Sequence, residues 1–273
     1  MTRAWTTLDE VRRAWRLVPD GVPFATASSL LQFVRTEDGG AAVLKLARAS
    51  EEARGGRALA GWSGGAAAPV RRWDGTALLL ARATGDDLVA LHRRGEVDAA
   101  LDRIADVAAA LRAGTVPTEA TVSLDRWFAA LRRLAGHRGG SWGAAWSLAE
   151  GLLASRPRDV PLHGDLHHAN VLDFAPAGWR AIDPKALRGD PAFEFATTLL
   201  NPDRGDPTVD PSTLRRRAER LATRARLETG RVLAWTEAFA SLSAAWAIEQ
   251  GGDPTVDLAW RRRVRAARAG DQA

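Results

Sequence analysis

Polar and apolar positions along this chain fall into two regimes. In the first, Thr7-Leu8-Asp9-Glu10 has the form of a capping box that opens a short helix running toward Pro19. Apolar and β-branched runs bounded by turn residues follow and predict strands. Phe24 to Arg35 and Ala41 to Leu46, joined across Glu37-Asp38-Gly39-Gly40, form a hairpin that places Lys45 near its end. Ser50, with Glu51 and Glu52 in the first turn, starts a helix that ends near Trp62 and the glycines Gly64-Gly65. Val70 to Trp73 and Thr76 to Arg82 meet at Asp74-Gly75 as two more strands. Residues 1–83 therefore read as a small antiparallel sheet with one helix.

From about Thr84 the period changes to that of a helix. Val97, Leu101, Ile104, Ala108 and Leu111 recur at spacings of three and four, as do Leu124, Trp127, Phe128, Leu131 and Leu134. Further helices are predicted near Ala192 to Leu200, Pro211 to Leu227, Val232 to Glu249 and Val256 to Ala269. One interruption lies between Val160 and Asp183. There Val171 to Phe174 and Trp179 to Ile182 flank Pro176 and Gly178 as a short hairpin. The pattern as a whole is α+β: a sheet lobe, 1–83, followed by a mainly helical lobe, 84–273. Trp235 and Trp246, eleven residues apart, share a helix face and read as core.

Composition narrows the chemistry. The 273 residues are 46% hydrophobic and 26% charged, enough to bury a sizeable core, and Cys is absent, which excludes disulfides, thiolate zinc sites and cysteine nucleophiles. The first residues carry Asp9, Glu10, Arg12 and Arg13 where a signal peptide has its apolar stretch, and Ala238 to Ile248 is too short to span a bilayer. A soluble, cytoplasmic chain without a membrane partner is the expectation. The net charge is +5, with arginine runs at 215–217 and 261–263. These fall in segments of helical spacing, where arginines form a solvated face, so nucleic acid is not expected as a partner. Nor does any segment point to an obligate protein partner.

Lysine usage is sharper. Of 38 basic residues only Lys45 and Lys185 are lysine. A compact ammonium differs from a planar guanidinium fork, so both positions invite a functional reading.

The segment His163-Gly164-Asp165-Leu166-His167-His168-Ala169-Asn170 lies in a loop leading into the hairpin, and Asp183 stands at that hairpin's end. This reproduces the spacing His-x-Asp-Leu-x-x-x-Asn of a kinase catalytic loop followed by a metal-binding aspartate. Phosphoryl transfer needs a carboxylate against the attacking hydroxyl, which suits Asp165, with His163 beside it in the motif. Magnesium prefers hard oxygens together with substrate phosphates, which suits Asn170 and Asp183. Two rival readings are a structural loop in which Asp165 caps a turn, and a zinc site on His163 and His167. The second lacks the helix and adjacent glutamate such a site requires.

Lys45 late in a strand, with Glu51 or Glu52 at the start of the next helix, matches the lysine and glutamate that hold nucleotide phosphates in kinases; Glu52 is the preferred partner. The alternative for Lys45 is a snorkelling surface lysine. No glycine-rich loop is present in the first hairpin. Ala25 to Ser29 occupies its place, so Ser28 and Ser29 are candidate phosphate donors. Lys185 either neutralises phosphate or anchors its loop.

These residues resemble the aminoglycoside/hydroxyurea resistance kinases, in particular streptomycin 6-phosphotransferases. Pro161 to Phe174, Gly178 to Lys185 and Asn201-Pro202-Asp203 follow that family's signature nearly residue for residue. Weaker similarity runs from Ser28-Ser29 to Trp246. The resemblance implies a two-lobed protein-kinase-like fold, ATP with Mg2+ in the cleft, and transfer of the γ-phosphate to a hydroxyl of a small antibiotic. It implies Asp165 as base, Asn170 and Asp183 as metal ligands, Lys45 on phosphate and Glu52 supporting Lys45. Gly164 stands where protein kinases carry an arginine, so control by loop phosphorylation is not expected. Departures are Leu80-Ala81-Arg82 for Met-Glu-Arg, Asp190 and Glu194 within Gly189 to Glu194, and Arg112 for a histidine.

Streptomycin carries two guanidinium groups, so its site should offer carboxylates. Asp190, Glu194, Asp203 and Glu237 are the leading candidates, with Asp206, Glu249, Asp253 and Asp257 behind them. The alternatives are a kinase for hydroxyurea or another small hydroxylated compound, and a non-catalytic binding protein of the same fold.

Overall fold

The computed structural model describes residues 4–62 and 65–270; Gly64, expected near a helix end, lies outside them. The capping box at Thr7 forms as read. The Thr7 hydroxyl accepts from the Glu10 amide (3.2 Å), the Glu10 carboxylate accepts from the Thr7 amide (3.3 Å), and helix α1 runs Leu8–Trp15. Strands β1 (Val18–Pro19), β2 (Phe24–Ala25), β3 (Ser29–Arg35) and β4 (Ala41–Ala47) follow, then helix α2 (Ser50–Gly61), β5 (Val70–Asp74) and β6 (Ala77–Ala81). The sheet order is β1-β3-β4-β6-β5 with β2 added on β3, all antiparallel. The expected strand from Phe24 to Arg35 is broken by a turn at residues 26–28, where the Thr26 hydroxyl accepts from the Ser29 amide (3.1 Å). Ala49, without a side-chain cap bond, precedes α2, and Ser50 is its first residue.

Strand alternation decides what faces the cleft. Ala42, Leu44 and Leu46 point into a core shared with Trp5, Leu8, Val11 and Trp15, so α1 covers that face of the sheet. Val43 and Lys45 necessarily point the other way, toward α2 and the second lobe.

The second lobe contains α3 (Leu88–Arg93), α4 (Val97–Ala113), β7 (Val122–Ser123), α5 (Leu124–Trp127), α6 (Ala129–Arg138) and α7 (Gly140–Ala154). After these come β8 (Val160–Leu162), β9 (Val171–Asp173), β10 (Trp179–Ala181), β11 (Leu187–Gly189), α8 (Ala196–Leu200), α9 (Pro211–Ala225), α10 (Thr229–Glu249) and α11 (Thr255–Ala269). Two small sheets frame the catalytic loop: the β9–β10 hairpin, and β8 with β7 on β11. The three-stranded sheet, α3 and α7 have no counterpart in the sequence reading. Their strands are two or three residues long, too short for a period, and α7 opens on Gly139-Gly140. The helix expected over 124–134 is divided at Phe128, which closes α5.

Helix α10 is apolar on nearly all sides and is buried accordingly. Around it, Trp235, Phe128 and Phe193 pack edge-on or tilted with centroids 5.5–5.8 Å apart. The arginine runs are largely engaged within the fold. Arg216 bonds Ser212 and Thr213, Arg217 faces Asp203, and the buried Arg261 donates to Ser141 O. No helix among the described residues is long and apolar enough to cross a membrane.

Candidate active site

The site forms where the sheet lobe, the catalytic loop and the segment after β10 meet. Lys45, on the cleft face of β4, bonds both Glu52 of α2 and Asp183. Glu52, not Glu51, is thus its partner. Burial acts to raise the Glu52 pKa, but the Lys45 hydrogen bond and charge, with Lys185 behind, hold it down to about 2. Glu51 instead pairs with Lys185 (2.8 Å), which lies 3.5 Å from Glu52 as well. Burial opposes the Lys185 charge, yet the bond to Glu51 keeps its pKa above the ordinary lysine value. With its amide donating to His163 O (2.8 Å), Lys185 ties α2 to the catalytic loop.

Ser29 departs from expectation. Its side chain shares the β3 face of Leu31 but is fully buried under α2, and its hydroxyl donates to Glu52 (3.3 Å), so it supports the lysine–glutamate pair. Ser28 occupies the β2–β3 turn beside Thr26. Below this turn an apolar slot lined by Leu31, Val43, Leu78, Leu80, Leu172 and Ile182 opens onto Lys45 and Asp183.

Within the loop, His163 is also not where a catalytic group would be. It is fully buried, its Nε2 donates to Ile182 O (2.8 Å), and its Nδ1 accepts from the Asp165 amide (3.3 Å). Burial pushes its pKa down to about 3, so the ring is neutral and acts as a strut between loop and hairpin. Both nitrogens are engaged and no helix carries the pair, which removes the zinc reading of His163 and His167.

The Asp165 carboxylate lies 3.7 Å from His167 Nε2. Burial raises its pKa above the ordinary aspartate value, and the charges of His167, Lys185 and Arg204 act against that rise. Asn170 Nδ2 donates to the Asp165 carbonyl (2.9 Å), so the loop folds back and brings base and amide to one edge. Ile182 N donates to Asn170 O (2.9 Å) and sets Asp183 beside it. Asp183 sits in the left-handed region (φ 60°), a conformation aspartate tolerates better than most residues.

Asn170 and Asp183 offer an amide oxygen and a carboxylate, a donor set that fits Mg2+. Among the described residues there is no cluster of three or more His, Cys, Asp or Glu placed to hold a metal.

Three of the four leading substrate carboxylates are structural. Glu194 is buried and accepts from the amides of His163 (2.8 Å) and Gly164 (2.9 Å), gripping the catalytic loop from below. Burial outweighs these bonds and pushes its pKa up to about 7. The fully buried Asp190 bonds Arg231 (2.6 Å), Trp235 (2.9 Å) and the Ala192 amide (2.9 Å). Glu237 is enclosed between α10 and α11 with Arg265 and Arg268 (2.8 and 2.9 Å). The fourth, Asp203, lies near His92 (3.7 Å) and Arg217 (3.6 Å) and lines an opening shared with His167 of the catalytic loop. A second opening of about 650 Å3 lies beside Lys185, walled by Trp127 and Trp246, whose rings are 5.2 Å apart; Trp235 is fully buried in the core, and the half-buried Trp246 packs against that core while also walling the opening. Sequence reasoning missed Arg204, one arginine among many, whose charge bears on both Asp165 and His167.

A sheet lobe that supplies a lysine–glutamate pair and a helical lobe that supplies an Asp, an Asn and a second Asp define a two-lobed, protein-kinase-like phosphotransferase fold. A thermostable mutant of aminoglycoside phosphotransferase APH(4)-Ia, solved with ADP and hygromycin B, superposes with a TM-score of 0.66 at 17% identity, over 97% of this chain and 98% of that one. The family model for aminoglycoside/hydroxyurea antibiotic resistance kinases matches residues 14–251, and the chain belongs to that family of ATP-dependent O-phosphotransferases. It is 42% identical to the streptomycin 3''-kinase of Klebsiella pneumoniae over 87% of this chain and 91% of the relative. It is 30% identical to the streptomycin 6-kinase of Streptomyces griseus, over 87% and 80%.

Proposed function

We propose that this chain transfers the γ-phosphate of ATP to a hydroxyl of an aminoglycoside, with streptomycin the first acceptor to test. The observation that carries the reading is Lys45 reaching from β4 to both Glu52 and Asp183, which joins a phosphate-binding half-site to the loop that bears Asp165. Residues 1–83 serve as the nucleotide lobe, with adenine in the apolar slot and phosphates beneath the 26–28 turn. Residues 84–273 serve as the catalytic and acceptor lobe. Asp165 accepts the acceptor's proton, and the rise in its pKa from burial makes it a stronger base. Asn170 and Asp183 would hold Mg2+, which would supply positive charge against the transferring phosphoryl group. Lys45 contacts phosphate, Glu52 orients Lys45, and Glu51 with Lys185 anchors the loop; His163 is a positioning residue. Sequence resemblance pointed to the 6-hydroxyl of streptomycin; the higher identity to a 3''-kinase than to a 6-kinase favours the 3''-hydroxyl.

The test is ATP consumption by the purified chain with streptomycin, spectinomycin, kanamycin and hydroxyurea, followed by NMR of the product to locate the phosphate. Turnover with an aminoglycoside supports the reading. Stimulation by hydroxyurea alone replaces the acceptor and leaves the chemistry, whereas no turnover and no nucleotide binding make the chain a non-catalytic relative.

A further inference from the structure

The loop between α8 and α9 carries a guanidinium into the cleft. Arg204 donates through Nη2 to Ser243 Oγ (2.6 Å) and pairs with Asp257 Oδ1 (3.1 Å), and its guanidinium carbon lies 5.6 Å from the centroid of Phe239. Ser243 and Phe239 lie on α10, and Asp257 on the first turn of α11. A carboxylate, a hydroxyl and an aromatic face around one planar cation are the elements from which guanidinium recognition is built. The corner adjoins the reaction centre: Asn201, Pro202 and Asp203, which lead into Arg204, line one opening together with His167 and Ala169 of the catalytic loop, and the Arg204 charge acts on both Asp165 and His167.

Two features separate this pair from the buried carboxylates described above. The Asp257 side chain is 15% exposed and needs a cationic partner, whereas Arg204 is 35% exposed and has water to turn into. The Arg204 backbone is held independently of its side chain, by the fully buried Trp260, whose Nε1 donates to Arg204 O (2.9 Å). The guanidinium can therefore leave without unseating the loop. A cation arriving from outside would keep Asp257 paired.

We propose that Asp257, Ser243 and Phe239 form a subsite for a guanidinium or ammonium of the acceptor, and that Arg204 is an internal ligand of that subsite which the acceptor displaces. This rests on the reading of the chain as a kinase for cationic acceptors. Arg204 is then a specificity-determining residue: a neutral acceptor has nothing with which to replace it.

The experiment compares wild type, Arg204→Ala, Arg204→Gln and Asp257→Asn, each checked by circular dichroism and thermal melting. With streptomycin, Arg204→Ala should lower KM by about tenfold, since it empties the subsite for the acceptor's cation. Asp257→Asn should raise KM by about tenfold or more, by removing the carboxylate. Methylguanidinium, followed by saturation-transfer NMR, should bind folded Arg204→Ala and Arg204→Gln and not wild type. That arm is independent of turnover, so the subsite can stand even where no aminoglycoside is phosphorylated. An unchanged or raised streptomycin KM, a loss of kcat alone in Arg204→Ala, or absence of methylguanidinium binding to both arginine variants overturns the proposal.

Discussion

Glu194→Gln tests the grip on the catalytic loop and has a sign that can be worked out. The wild-type carboxylate is fully buried and accepts from two backbone amides, at 2.8 and 2.9 Å. Burial, opposed by those bonds and by the charge of Arg112, raises its pKa from 4.5 to about 7; Asp165 adds to the rise. A raised folded-state pKa means stability that is fully present below the unfolded value and is lost as pH rises through the folded value. Between pH ~4.5 and ~7 this group alone therefore removes roughly 3 kcal/mol, at ~1.4 kcal/mol for each tenfold change in proton affinity. Glutamine does not titrate, so the variant lacks this dependence. It also sets an amide NH2 against a backbone N–H, leaving that buried donor unmet at a cost of about 1–3 kcal/mol. The two effects nearly cancel above pH 7, and wild type should gain on the variant steadily as pH falls toward 4.5. Urea unfolding of both proteins at intervals from pH 4.5 to 8 reads the difference directly, with other carboxylates common to both. A difference that is flat, or that grows with rising pH, would refute a buried carboxylate holding this loop.

Lys45→Ala leaves Glu52 and Asp183 without their shared cation and should lower kcat/KM for ATP by ~10²–10³ with the fold retained, read by steady-state kinetics and circular dichroism. Gly55→Ala would place a methyl 2.4 Å from the Pro184 carbonyl oxygen, a backbone atom, so α2 must retreat from the segment that carries Asp183. The overpacking cost of ~1–3 kcal/mol exceeds the ~1 kcal/mol gained in helix propensity, and urea unfolding should show a net loss together with a raised ATP KM. Glu237→Gln weakens the α10–α11 pairing with Arg265 and Arg268 by ~1–3 kcal/mol in thermal melting, yet the acceptor KM should stay within about twofold, because this carboxylate never faces the cleft.

The catalytic loop was legible because its geometry is local. Asn170 folds back on Asp165 across five residues, and Asp183 follows one short hairpin later, so spacing carries the arrangement. Lys45 was legible through rarity and strand phase. The helical phase of Glu51 and Glu52 became visible only once α2 was placed against β4. Substrate acids were misread for a physical reason: a carboxylate becomes structural when a tertiary partner takes it, and Arg231, Arg265 and the His163 amide are 28 to 41 residues away in sequence. Ser29 shares a strand face with Leu31 but is covered by Glu52 of α2, and His163 turns inward as a loop strut; only tertiary placement decides either. The short sheet of β7, β8 and β11 has no periodic signal at all, since its strands are fixed by pairing across the lobe.

The central claim is that Asp165 takes the proton of an acceptor hydroxyl during transfer from ATP. Its most direct test is single-turnover phosphorylation of streptomycin by wild type and Asp165→Asn, with nucleotide affinity measured in parallel by calorimetry. The account predicts a loss of ~10²–10⁴ in the chemical step with ATP affinity within a few-fold of wild type. An Asp165→Asn protein that transfers phosphate at the wild-type rate would contradict it.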